Sequence, residues 1–381
     1  MMRLLYVTDL LAIHGGLERV LVDKMNWLSM RSQYEVFLLT ANQGSHPVVF
    51  PLSPNVTHYN LEVPFQQQYR YHCLIRWLVK LKLHHLFRRK LRFVIKEIVP
   101  DVVICPRRDL VADVERVRGN IPMVYESHSS RLAGKFENWG IWQRLLTKYY
   151  ECHIRKVQML VSLTEGDASE WRKLMPFVKV IPNVVHLNET GHLSDCQSKS
   201  VIFVGRYSMQ KDIGTLLHIW SLVHKKHPDW QLHVYGGYGE QSDSIHTMIS
   251  QMNANIVEHK PTSQIFDAYL NSSLLLLTSL YEPFGLVLPE AMSCGLPVIA
   301  FNCPYGPIDI LSDAKDGYLI EKGDIEGFVD KVCLLLENSE LRCQMGKAAS
   351  VSSQKYKAEC IMPEWEVLFK DMSPLAKVAL N

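Results

Sequence analysis

The stretch that decides the fold runs from Leu274 to Phe301, LLLLTSLYEPFGLVLPEAMSCGLPVIAF. Leu274 to Leu277 is an unbroken apolar run ending at Thr278-Ser279, as a fully buried strand would be. A loop follows, with Glu282 near its start. Pro289 fits the first position of a short helix and Gly295 fits its end. Pro297 to Phe301 reads as the next buried strand. Strand, loop, helix and strand in this order make one turn of a parallel α/β sheet. Glu282 on the loop and Glu290 in the first helical turn then stand at the carboxyl edge, where open α/β sheets bind ligands. Two glutamates at this spacing carry no meaning alone, since surface carboxylates give it by chance.

Size and composition set the frame. At 381 residues the chain is too long for one typical core, so two domains are expected. With 47% hydrophobic and 21% charged residues it belongs among soluble globular proteins. No segment approaches the roughly 20 apolar residues of a membrane span. The start, MMRLLYVTDLLAIHGG, reads as a strand and turn rather than a signal peptide, because Asp9 interrupts the apolar segment. Nine scattered cysteines without a C-x-x-C pair argue for a reducing, cytoplasmic location and against a zinc site or disulfide frame. His224 and His227 share a helical face without further ligands nearby, which is the pattern of a solvated surface. The net charge of +2 hides an asymmetry. Residues 1–195 hold 26 Lys and Arg against 18 Asp and Glu; residues 196–381 hold 15 against 21. The two halves are expected to face different partners.

In the first half, Arg3 to Thr8 is a strand that leads through Gly15-Gly16-Leu17-Glu18-Arg19 into a helical pattern. A strand, a diglycine turn and a helix start make an anion site, because bare amides and a partial positive charge meet there. Tyr34 to Ala41, Asp101 to Cys105 and Met123 to Glu126 read as further strands, the last running into Ser127-His128-Ser129. A histidine at a strand's carboxyl end can reach a ligand in a cleft, which makes His128 the best placed of 16 histidines. Tyr69 to Lys96 carries nine Lys and Arg, three His and no acid, with Leu74, Trp77, Leu78 and Leu81 at helical spacing. Three readings of this basic amphipathic segment stay open. They are a domain helix with a solvated basic face, attachment to an anionic membrane surface, and nucleic-acid binding. The last is disfavoured because the basic residues sit in one element. Met159 to Thr164 and Val178 to Val184 close the half, and polar Glu189 to Lys199 is the linker.

The second half opens with the strand Ser200 to Gly205, followed by Arg206 and then Lys211 before the helix Ile213 to Lys226. Trp230 to Tyr235 opens into Gly236-Gly237-Tyr238-Gly239, whose spacing is not that of a dinucleotide fingerprint. Asn255 to Lys260 is a short strand, Asp324 to Asn338 and Glu340 to Ala349 are helices, and Pro363 to Phe369 is a last helix.

The string E-P-F-G-L-V-L-P-E-A-M-S-C-G-L-P-V-I-A resembles the E-x7-E motif of retaining glycosyltransferases of family 4. G-G-x-E-R at Gly15 to Arg19, the strand ending in His128, I-P-N at Ile181 to Asn183, and G-R-x4-K at Gly205 to Lys211 resemble the same family in the same order. Tyr305-Gly306-Pro307-Ile308-Asp309 departs from the usual G-G-x-P-E and resembles the branch that builds bacterial surface polysaccharides. A Gly usual near Lys260 is missing, which puts contacts to the base there in doubt.

The resemblance implies the GT-B fold: two Rossmann-like α/β domains, doubly wound, facing across a cleft, with the last helix crossing back. Residues 1–190 would be the acceptor-binding domain, 191–360 the nucleotide-sugar domain and 361–381 the returning helix. It also implies a nucleotide-sugar donor, most simply a UDP-sugar, and a saccharide or lipid-linked saccharide acceptor. Glu290 would bind the ribose and Glu282 the sugar hydroxyls. Phe284, Gly285 and Leu286 would line the sugar and phosphate, and His128 would orient the sugar. Arg206 and Lys211 would hold the diphosphate opposite the Gly15 and Gly16 amides. No Asp-x-Asp occurs in the chain, so no metal or other cofactor is expected, with the two cations taking the metal's place. Two other readings keep the fold: a non-catalytic nucleotide-sugar-binding partner in an assembly complex, and an epimerase acting without acceptor.

Overall fold

The computed structural model describes residues 1–136, 140–237 and 239–372. Tyr238 of the glycine-rich turn and residues 373–381 of the expected returning segment lie outside the described residues. The chain forms two parallel sheets flanked by helices. The first contains β1 (Met2–Thr8), β2 (Tyr34–Thr40), β3 (Val56–Asn60), β4 (Val102–Cys105), β5 (Met123–Ser127), β6 (Met159–Ser162) and β7 (Val178–Val180). Its spatial order is β3-β2-β1-β4-β5-β6-β7. Its helices are α1 (Gly16–Ser29), α2 (Cys73–Ile98), α3 (Val111–Val117), α4 (Ala133–Phe136), α5 (Ile141–Ile154) and α6 (Glu165–Arg172).

The second sheet runs β10-β9-β8-β11-β12-β13. Its strands are β8 (Ser200–Val204), β9 (Gln231–Tyr235), β10 (Ile256–His259), β11 (Leu274–Leu277), β12 (Val298–Asn302) and β13 (Gly317–Glu321). Between and after them come α7 (Ile213–Lys226), α8 (Ser242–Gln251), α9 (Ile265–Leu270), α10 (Val287–Ser293), α11 (Gly306–Ile310), α12 (Ile325–Glu337), α13 (Ser339–Ser353) and α14 (Ala358–Met372). Both sheets reverse their winding at an inner strand pair, β1 with β4 and β8 with β11. A crevice opens at such a switch point, outside the carboxyl ends of the strands. The loops after β1, β8 and β11 carry the diglycine, the Arg206–Lys211 segment and Glu282.

The expected GT-B architecture is present, and α14 returns to the first lobe. Phe369 packs edge-on to Tyr34 of β2, and Trp365 lies against Lys24 of α1. The helix begins at Ala358, earlier than the expected Pro363, which falls inside it. The helix that follows β11 also begins early, at Val287, so Pro289 is its third residue and not its first. A proline there still costs no internal hydrogen bond, because the first four helical amides have no partner within the helix. Gly295 ends the turn as expected, with a left-handed φ of 80° and its amide donated to Met292 O.

Candidate active site

Lys211 and Glu282 meet because their two loops are sewn together. Leu280 N donates to Gln210 O at 2.8 Å, and Thr278 Oγ donates to Lys211 O at 3.2 Å. Asp212, in the left-handed region with φ 47°, caps α7 and turns the chain directly after Lys211. Lys211 Nζ then lies against Glu282 Oε1, which also accepts from Ser279 Oγ at 2.7 Å. Gln210 Nε2 reaches Glu282 Oε2 at 3.4 Å. The carboxylate is 3% exposed and therefore paired, as a buried charge must be. Arg206 is exposed on the rim of a cavity of about 410 Å³ that it shares with Gln210, Gly239 and Glu240. Among the described residues no recorded hydrogen bond or ion pair ties its guanidinium down. A larger cavity of about 710 Å³ lies at the hinge around Val185 and Asn188 and touches none of the expected site residues.

Glu290 projects from the first turn of α10, where Tyr269 Oη donates to it at 3.3 Å. Burial pushes its carboxyl up to about 7, against the hydrogen bond from Tyr269 and the attraction of Arg19 and Lys211. The residue as a whole is half-buried, with its carboxyl set deep in the crevice. Arg19 comes from α1 of the first lobe, and Lys211 from the second. Their joint action on Glu290 marks the place where the lobes converge.

The first lobe supplies the other wall. Gly15 precedes α1 with extended backbone and no side-chain cap, and Glu18 folds back over it. A Cβ on Gly16 would stand 2.7 Å from Leu286 Cδ1. The diglycine thus faces the Phe284-Gly285-Leu286 loop directly, and Gly285 needs its left-handed φ of 92° to turn there. His128 Nε2–H donates to Glu126 Oε2, 2.9 Å away. Glu126 Oε1 accepts from Lys24 Nζ at 2.7 Å, and this ammonium sits 3.5 Å above the Trp365 ring. Burial raises the Glu126 carboxyl, but Lys24 and His128 more than reverse that and hold it below the usual range. Burial lowers the Lys24 ammonium against the pull of Glu126. We read the pair as charged, because each partner's removal would leave the other unpaired in the core.

The structure therefore gathers Lys211, Glu282, Glu290, Leu286, Gly16 and, through Gln210, Arg206. His128 stands on the first lobe's side of the crevice, with no recorded contact to the second lobe among the described residues. Sequence reading passed over Arg19, Gln210, Ser279, Tyr269, Glu126 and Lys24. Arg19 could have been taken from the G-G-x-E-R string itself. Lys24 and Glu126 are 102 positions apart, and nothing local pairs them. No group of three or more His, Cys, Asp or Glu side chains placed to hold a metal occurs among the described residues.

Residues 188–351 match the family model of glycosyl transferases group 1. Over 362 residues the chain is 27% identical to a Haemophilus influenzae protein described as an uncharacterized glycosyltransferase, covering 92% of this chain and 95% of that one. It is 33% identical over 219 residues to the amylovoran biosynthesis glycosyltransferase AmsD of Erwinia amylovora, covering 55% of this chain and 61% of AmsD. Together these matches support a glycosyltransferase of the GT-B fold. The fold is also that of a TarM variant from S. aureus, crystallised with fondaparinux, α-GlcNAc-glycerol and UDP. The TM-score is 0.79 at 17% identity, covering 97% of this chain and 100% of that one. In this GT-B chain the matched segment holds Arg206, Lys211, Glu282 and Glu290, while the diglycine and His128 lie before it.

Proposed function

We propose that the chain is a retaining glycosyltransferase of family 4. It moves a hexose or N-acetylhexosamine from a nucleotide sugar, a UDP-sugar by this reading, to a saccharide or lipid-linked saccharide in cell-surface polysaccharide synthesis. The observation that carries the proposal is the Lys211–Glu282 pair, flanked by Gln210 and Arg206 and facing the diglycine turn of the other lobe. The UDP in the TarM complex and the polysaccharide role in the name of AmsD support the donor and the pathway class.

The chemistry follows from where charge develops. The acceptor oxygen bonds to the anomeric carbon as the bond from that carbon to the diphosphate oxygen breaks on the same face. The electron pair of that bond and the acceptor's proton both go to the leaving phosphate. Arg206 and Lys211 meet the growing negative charge, with the α1 amides at Gly15 and Gly16 opposite. Fixed cations favour the transition state over the ground state, which is what accelerates a reaction. Glu290 accepts from the ribose hydroxyls, Glu282 from the sugar, and His128 orients the sugar from the first lobe.

A screen of UDP- and GDP-sugars tests the reading. One donor is expected to raise the melting temperature and to be slowly hydrolysed without acceptor. With an acceptor present, the product should keep the donor's anomeric configuration. Turnover should survive chelation. Restoration by Mg²⁺ or Mn²⁺ of activity lost to chelator would overturn the metal-independent part. Binding of a nucleotide sugar with no hydrolysis or transfer under any pairing would favour a non-catalytic role.

A further inference from the structure

We infer that the overhanging first turns of α2 and α5 form one docking surface for an anionic lipid bilayer. The evidence begins with length. Helix α2 has 26 residues, roughly 39 Å, against strands of three to seven residues in the sheet it covers. Only its later part is packed, through Leu83, Phe87, Leu91, Val94 and Ile98. Residues 74–78, a little over one turn, are exposed, and Val79 is the first described side chain of the helix to touch the core. Leu74 is 80% and Trp77 58% exposed, with Leu78 beside them. Helix α5 does the same. Its first two turns leave Ile141, Trp142 and Leu145 exposed, Trp142 by 81%.

Topology puts both overhangs at one edge. Each helix follows a parallel strand and runs back along the sheet, so its first residue lies at the carboxyl edge. The diglycine and His128 project from that same edge. Helix α3 lies between them on the same face. His84 and Arg88 of α2 bond Asp113, and His153 of α5 bonds Glu115, both on α3.

Charge chooses the occupant. Residues 69–96 and 140–150 contain no Asp or Glu, while exposed Arg70, Arg76, Lys82, Arg144 and Lys148 surround the apolar side chains. Two tryptophans at the tips, with leucines and cations around them, suit the headgroup region of a bilayer, where aromatic and basic side chains are each favoured. Among the described residues no helix is long and apolar enough to cross a membrane, and both helices are packed on the domain beyond their first turns, so only those turns would enter its surface. The use of such a surface rests on the proposed transfer to a lipid-linked acceptor: docking there holds the cleft edge against the plane in which that acceptor diffuses. The surface itself stands without the transferase reading.

Co-sedimentation of the full chain with vesicles tests it. One set is phosphatidylcholine alone, the other phosphatidylcholine mixed equally with phosphatidylglycerol. Binding is expected to the mixed vesicles only and to weaken with salt. The double substitutions Trp77→Ser with Trp142→Ser, and Arg76→Ser with Arg144→Ser, should each reduce it, the second by about fivefold per cation removed. Both variants should keep the wild-type melting temperature and donor hydrolysis. Equal binding to both vesicle types, or undiminished binding by the tryptophan variant, would overturn the proposal. So would absence of vesicle binding together with a concentration-dependent dimer that the tryptophan variant abolishes. None of these readings requires activity, so they separate failure of the docking surface from failure of the transferase assignment.

Discussion

Glu290 takes up its proton more readily in the folded chain than in the unfolded one, since burial raises it to about 7. A raised carboxyl favours the folded state below its ordinary value near 4.5, and that contribution is lost as pH rises through 7. Above pH 7 the charged group is held at a cost on the order of 1–3 kcal/mol. Glu290→Gln should therefore melt at a higher temperature than the wild type at pH 8 and show little gain at pH 5. The same substitution should weaken nucleotide binding, because an amide replaces the carboxylate proposed to accept the ribose hydroxyls. Calorimetry at pH 6 should find the wild type binding nucleotide more weakly than at pH 8, with proton release. A flat affinity between them would remove Glu290 from the ribose.

The two cations should separate in the same way. Arg206 is exposed and unpaired among the described residues, so Arg206→Ala should leave the melting temperature unchanged and lower turnover about 10²–10³-fold. Lys211→Ala should do both kinds of harm, since it strands the buried Glu282; a broken buried pair costs roughly 3–5 kcal/mol. Adding Glu282→Gln should return much of the stability and none of the turnover.

Among the elements, the strands buried on both faces and the long amphipathic helices could be read from the chain. Leu274–Leu277 falls in register as β11, and Ile213–Lys226 is the predicted helix to the residue. Strand β3 was not legible, because it is the sheet's edge and its Thr57-His58-Tyr59-Asn60 half lacks apolar alternation. Helix α5 is not legible for a related reason: the apolar residues of its first turns are exposed, so they mark no buried face. The basic segment was seen as a helix, but which part of it is buried depends on the length of the strands beneath. Within the site, motif-borne residues were legible and supporting ones were not. The Lys24–Glu126 pair joins α1 to β5 under the cover of α14, and only the fold brings those three together. Its energetics give a test at this scale. Lys24→Met should lower unfolding free energy in urea by roughly 3–5 kcal/mol, and Lys24→Met with Glu126→Gln should recover most of it. Failure of the pair to recover would mean that Lys24 acts through Trp365 alone, as a cation over a ring.

Taken whole, the molecule is closed. Leu286 meets the diglycine, and the Tyr305 ring fills the space beside Gly166 of α6. Asp309 Oδ2 accepts from the Glu165 amide at 2.7 Å, so the second lobe caps a helix of the first. That places the variant Y-G-P-I-D string at a lobe contact, a use its sequence did not reveal. Asp309→Ala removes the cap and should shift the ensemble toward an open cleft. Small-angle scattering should show a larger radius of gyration than the wild type, which bound donor brings back. An unchanged radius would mean that the ring of Tyr305 suffices to hold the lobes.

The route of α14 has a consequence for biosynthesis. The segment that roofs Lys24 and Glu126 is made well after both of them, since Trp365 follows Glu126 by 239 positions. A nascent first lobe must wait with an ammonium and a carboxylate beneath a missing lid, open to water and to chaperones. Maturation of that lobe thus waits on α14, and a chain interrupted before Ala358 would display an unfinished domain.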